Sequence, residues 1–196
     1  MRNLLILSVA ASALAIPAAA SAQRTPAAVI VLVDTSKVYS DCNACRTAQS
    51  QFQALATGAQ NRQKTLAAQL QPEHEAIQKA IDALNGKQPD AALKARVDAY
   101  QKKAENAQQE MARAEQNLQS IRANIVRQIE AKFNPAVAQV MTQQGANIAL
   151  DMDGTIAHGP GTDATAAVLA ALNASLTSVS ATPLPQQQTQ QQPQGR

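Results

Sequence analysis

Ten positions between Leu93 and Ile125 constrain the fold most. Leu93, Val97, Tyr100, Ala104, Ala107, Met111, Ala114, Leu118, Ile121 and Ile125 alternate steps of four and three without a miss. Such a repeat puts one apolar stripe on one face of an α-helix, and here it persists for more than four heptads, the pattern of a coiled-coil seam. A second helical pattern precedes it from Lys37 to Leu84, through Val38, Cys42, Cys45, Ala48, Phe52, Leu55, Ala59, Leu66, Leu70, Ile77, Ile81 and Leu84. Pro72 lies inside that stretch and predicts a kink or short break, because proline removes a backbone donor and crowds the preceding turn. Pro135 predicts a re-aiming of the second helix near its end.

Between the two helices runs Asn85-Gly86-Lys87-Gln88-Pro89-Asp90. Asn and Gly accept left-handed backbone, and Pro followed by Asp suits a helix start. Two helices joined by one six-residue turn make an antiparallel hairpin. At ~1.5 Å rise per residue, a helix of this length reaches roughly 70 Å. Glu75 to Lys79, Asp90 to Lys94 and Asp98 to Lys102 place acid four residues before base, which suits a solvated helix face.

Composition supports rods over a thick globule. Of 196 residues 42 are Ala, Trp is absent, and the only aromatics are Tyr39, Phe52, Tyr100 and Phe133. Large aromatic side chains dominate core energetics, whereas Ala favours helix and close helix contact. A net charge of +3 permits weak attraction to acidic surfaces but makes no nucleic-acid footprint.

The chain starts with Arg2, an apolar run from Leu4 to Ile16 and the small residues Ala20-Ser21-Ala22. This reads as a cleaved export signal over residues 1–22, with a mature start near Gln23, and it is too short to span a bilayer. Val29-Ile30-Val31-Leu32-Val33 reads as a buried strand, with Asp34 or Ser36 able to cap the helix that follows. Gly145 to Leu150 reads as a second strand and Thr155 to His158 as a third. Asp163 or Thr165 opens a short helix with Val168, Leu169 and Leu172 on its apolar face. The Pro/Gln-rich segment 177–196 is expected to be disordered.

The fold expected is therefore mainly α. A long helical hairpin over residues 37–142, with its tip at 85–90, stands on a small β/α body from residues 28–35 and 143–176. So small a body is marginal as a self-sufficient core. Val29, Ile30, Val31, Leu32, Val33, Ile148, Leu150, Val168, Leu169 and Leu172 are accordingly expected to be buried by neighbouring copies in a homo-oligomer.

This layout resembles the Skp/OmpH family of periplasmic chaperones over roughly residues 28–175. VIVLVDTSKVYS is similar to that family's opening strand and helix start. Pro135 with Ala136-Val137-Ala138-Gln139-Val140 is similar to its Pro-led segment, GANIALD (145–151) to its second strand, and DATAAVLAALN (163–173) to its terminal helix. Pro72, the Cys pair and the Gln-rich tail lie outside the pattern. The resemblance implies a trimer with a β-sheet body and helical arms around a cavity, holding unfolded outer-membrane proteins in the periplasm without ATP. Many weak contacts from several arms can add to useful affinity. Arg62, Lys64, Lys79, Lys87, Lys94, Arg96, Lys102 and Lys103 are the candidate client-binding residues, by steering acidic clients; the bland reading is that they only solvate the arms. Transient contact with a membrane surface is allowed. No catalytic residue, cofactor, metal site or nucleic-acid partner is expected.

Two motifs point elsewhere. Cys42-Asn43-Ala44-Cys45 is a C-x-x-C at a helix start, where a thiolate is stabilised. It reads as a local disulfide or as two small seam residues in an oxidising compartment, with redox chemistry and a metal site between copies as lesser readings. Asp151-Met152-Asp153-Gly154-Thr155 matches the phosphatase signature D-x-D-G-T, but no lysine follows it and Asp163 is the sole later acid. It reads as a strand end and polar turn. His74 lacks the second histidine of a zinc helix motif, and His158 has no evident partner. The function expected is a non-enzymatic holdase; the alternatives are a structural coiled-coil adapter of the envelope and a C-x-x-C thiol-redox protein.

Overall fold

A computed structural model of the chain describes residues 26–184. Its elements run β1 (Ile30–Val33), α1 (Thr35–Asp41), α2 (Asn43–Asp82), α3 (Ala91–Gln144), β2 (Ile148–Asp151), a single 3-10 turn (Met152–Gly154) and α4 (Thr165–Ser175). The export signal expected over residues 1–22 lies outside the described residues.

The long helices α2 and α3 form the hairpin arm, and the turn between them is its tip. Asn85 and Gly86 take positive φ there, 49° and 83°, and the Asp90 carboxylate caps α3 by accepting the Leu93 N–H at 2.7 Å. Both helices continue through their prolines, α2 through Pro72 and α3 through Pro135. Of the kink or short break anticipated at Pro72, the short break is therefore absent. A proline costs about 3 kcal/mol in a helix interior; Ile77, five residues beyond, is buried, and packing of this kind offsets the loss. The only interruption lies nearer the base, where Cys42 turns to extended backbone between α1 and α2.

The arm seam is shallow. Of the ten positions on α3, only Ala107, Ile121 and Ile125 are buried, and the other seven are half-buried. Two helices alone cannot enclose a seam, so the core lies instead at the base. There α4 closes over the roots of α1 and α3, and Val38, Val140, Val168 and Leu172 are fully buried. Each such side chain contributes ~1.5–3 kcal/mol on burial.

Strands β1 and β2 pair in parallel, Ile30 with Ile148 through Val33 with Asp151. A parallel pair requires a crossover, and here the crossover is the entire hairpin. On its other edge β1 meets the segment before α4: the Leu32 N–H donates to the Thr162 carbonyl, and the Ala164 N–H donates to the Leu32 carbonyl, each at 2.8 Å. That segment replaces the third strand anticipated at Thr155–His158. Those residues are irregular, and Ile156 is fully exposed; with β2 on one edge of β1 and Thr162–Ala164 on the other, β1 has no free edge to offer them.

The ten residues assigned to an intermolecular body divide in two. Val31, Leu32, Val33, Val168 and Leu172 are buried within the single chain, and Leu169 is half-buried against the same core. These need no second copy, because α4 folds back onto the chain's own helices. Val29, Ile30, Ile148 and Leu150 remain 38–46% exposed.

Disorder from residue 177 is not what the described residues show. Val179 is buried, and residues 180–184 follow α3 through side-chain hydrogen bonds. Composition missed this because the ordering groups sit more than fifty positions away. Residues 185–196 lie outside the described residues.

Candidate functional site

Three of the four aromatic residues gather where the arm meets the base. Tyr39 of α1 meets Phe133 of α3 edge-on, with ring centroids 5.1 Å apart. Beside them a groove of about 370 Å³ runs between α2 and α3, floored by Tyr39, Phe52, Ile125 and Ile129 and edged by Arg122 and Glu130. Burial, reinforced by the nearby Glu130 and Asp151 charges, pushes the Tyr39 hydroxyl above its ordinary pKa, so it stays protonated. The groove escaped the sequence reading; its one signal was the scarcity of aromatics, which made each a candidate for a special place.

Farther out, the arm carries the cations singled out above, and the structure sorts them. Arg62 of α2 grips both carboxylate oxygens of Glu110 on α3, at 2.6 and 3.0 Å. Lys103 of α3 reaches Glu73 of α2 at 2.8 Å. These two are ties between the helices. The Arg62 ion pair raises the guanidinium pKa and lowers that of the Glu110 carboxyl, both chiefly through the shared hydrogen bond. Lys64, Lys79, Lys87, Lys94, Arg96 and Lys102 are exposed and form no salt bridge among the described residues. The three acid–base pairs anticipated along the helices do not form either; among the described residues the pair at that spacing is Lys37 with Asp41, at 2.7 Å. Gln71 takes Glu75 in place of Lys79, and the Asp90 carboxylate caps α3 instead of pairing with Lys94.

Apolar side chains are also left uncovered on the arm. Leu55, Ile81 and Val126 are 43–45% exposed. Leu55 and Ile81 belong to the apolar pattern of α2, yet the partner helix is too narrow to cover them.

Cys42 and Cys45 are joined by a disulfide at the root of α2. Cys42 has no exposed surface and Cys45 only 6%, whereas cysteines that exchange with partners are partly exposed. Asp151 ends β2; its carboxylate accepts the Asp153 N–H at 2.9 Å and a hydrogen bond from Thr35, which hold it below the usual carboxylate range. Its bonds tie a turn to the start of α1. His74 lies against Tyr100, with ring centroids 5.6 Å apart. His158 meets only its own loop, near Thr162 and the Gly159 carbonyl.

Among the described residues no helix is long and apolar enough to cross a membrane. The geometry is a slender two-helix arm with scattered exposed apolar and cationic side chains, mounted on a strand-braced base. The chain belongs to the family described as "Outer membrane protein (OmpH-like)", whose sequence model matches residues 29–172. This is a family of chaperones. A solved structure from Caulobacter crescentus, described as OmpH-like, is similar in fold, with a TM-score of 0.67. It is 17% identical, and the match covers 84% of this chain and 96% of that one. No curated protein matches the sequence.

Proposed function

We propose that the protein is an ATP-independent holdase of the periplasm that keeps unfolded outer-membrane proteins from aggregating in transit. The observation that carries this reading is the arm itself. Its two slender helices leave Leu55, Ile81 and Val126 exposed and carry six cations that form no salt bridge among the described residues. Isolated contacts of this kind are weak, and several arms acting together turn them into useful retention.

The base supports assembly of several copies. By strand alternation, Ile30 and Leu32 share a face with Ile148 and Leu150, opposite the helical core. Leu32 is covered, while Ile30, Ile148 and Leu150, with neighbouring Val29, stay exposed. We assign this face to a homo-oligomer, a trimer by family likeness. The free cations also allow transient contact with an anionic membrane surface.

The test is suppression of aggregation of a denatured porin diluted from urea, with mass measured by light scattering. Suppression by a trimer near stoichiometric ratio supports the reading. No suppression at excess would point instead to a structural adapter of the envelope.

A further inference from the structure

The segment after α4 sets Val179 and Ala181 against the core, and beyond that anchor its hydrogen bonds to α3 are made by its backbone. Gln128 forms a two-way bond with Ser180: the Ser180 N–H donates to Oε1 and Nε2 donates to the Ser180 carbonyl, both at 3.0 Å. Nε2 also donates to the Asn124 carbonyl at 3.1 Å, which holds the amide in position. One turn along α3, Asn124 Nδ2 donates to the Thr182 carbonyl at 2.9 Å. One turn further, Ser120 Oγ accepts the Leu184 N–H at 2.9 Å. Every one of the four hydrogen bonds between helix and segment goes to the segment's backbone.

The spacing is systematic. Residues 128, 124 and 120 lie one above another on the helix, about 6 Å apart. Residues 180, 182 and 184 all turn backbone groups toward the helix, with the chain bending at Thr182 between them. The helix therefore presents a ladder of polar side chains to alternate backbone groups of the segment. It runs antiparallel to α3, from base toward tip.

We propose that Ser120, Asn124 and Gln128 form a binding site for polypeptide backbone, and that the chain's own residues 180–184 occupy it until a segment of unfolded client displaces them. The inference rests on the holdase reading above and gives it a mode of recognition. Backbone contacts are indifferent to sequence, as a protein that holds many unrelated chains requires. The resident segment keeps buried Asn124 satisfied when no client is present. A site held by its own chain nine times in ten lowers apparent client affinity about tenfold, and removing the occupant restores it.

The experiment compares the full mature chain with one ending at Val179, which retains the buried Leu176 and Val179. Binding of a fluorescein-labelled denatured porin is followed by anisotropy. The shortened chain should bind about tenfold more tightly, and Gln128→Ala within it should abolish the gain. Ser180→Pro in the full chain, which removes the N–H given to Gln128, should reproduce much of the gain and covers the case in which the shortened chain folds poorly. Porin binding that is equal in all these proteins overturns the ladder and leaves the holdase reading intact, as does a fall in melting temperature with no change in affinity. Failure of every one of them to bind porin removes the holdase reading and the inference with it.

Discussion

Arg62 and Glu110 lie 48 positions apart in the chain and meet through two hydrogen bonds across the arm. The pair pins α2 to α3 midway between tip and base. Lys103 and Glu73 repeat the device farther out.

A cation already engaged in a tie is a poor hand for clients. Arg62→Ala should leave porin affinity and its salt dependence nearly unchanged, with only a small loss of stability because the pair is exposed. Replacing Lys64, Lys79, Lys87, Lys94, Arg96 and Lys102 together by Gln should weaken binding at low salt and flatten its salt dependence. Titrations at two ionic strengths check both; equal losses from Arg62→Ala and from the six-fold variant would remove the distinction.

The base should be far more sensitive to truncation than the arm. Leu172 is fully buried in the core of the base, so Leu172→Ala should cost ~2–5 kcal/mol. Leu93 is only half-buried on the arm seam, and Leu93→Ala should cost well under half as much. Urea denaturation of both variants measures the contrast.

The exposed sheet face should govern assembly and leave the protomer folded. Ile30→Lys with Ile148→Lys puts like charges on two residues paired in register. The variant should keep its helical circular dichroism while its mass by light scattering falls to that of a monomer. A variant that remains a full-sized oligomer would place the interface elsewhere.

The buried disulfide should be structural. In a chain-entropy estimate, a loop this short contributes about 2 kcal/mol. Cys42→Ser with Cys45→Ser should lower stability by roughly that amount and leave porin protection intact. Loss of protection in a folded variant would restore a role for thiol chemistry.

Acid should loosen the start of α4. The Asp163 carboxylate accepts the Thr165 N–H at 2.8 Å and a bond from the Thr165 side chain, and its pKa is lowered chiefly by the latter. A carboxyl whose pKa is lower in the folded chain adds stability above its unfolded value of about 3.9 and loses it as pH falls toward the folded value. Asp163→Asn should therefore reduce the slope of stability against pH below about 4. Denaturation midpoints at several acid pH values test this; a slope unchanged by the substitution would assign the acid sensitivity to other groups.

Much of the architecture was legible because periodicity is a local property. The four-three spacing from Leu93 to Ile125 marks a helix wherever it occurs, and Asn85-Gly86 marks a turn by backbone tolerance alone. What stayed hidden depends on distance. Nothing near Arg62 shows that Glu110 waits on the other helix, while Lys64, two positions on, is left without a salt bridge. Nothing near Ser180 shows that Gln128 offers it both a donor and an acceptor. The irregular path of Thr155–His158 was also unreadable, because β1 closes its edge with Thr162–Ala164. Among the proposed client contacts, Leu55 and Ile81 were read as seam, since the alternation of an apolar pattern does not report how wide the opposing helix is.

The strand pair at the base has a bearing on how this protein comes into being. Val29 and Asn147 are 118 positions apart and bonded to each other. Whichever end of the chain is delivered first must wait for nearly all the rest before that joint can close. The hairpin can zip from its tip by local contacts as soon as both helices exist, whereas the joint registers arrival of the far end. A polypeptide interrupted before Ile148 would thus possess arms but no footing, and every finished copy has been read through to its last strand before it can stand.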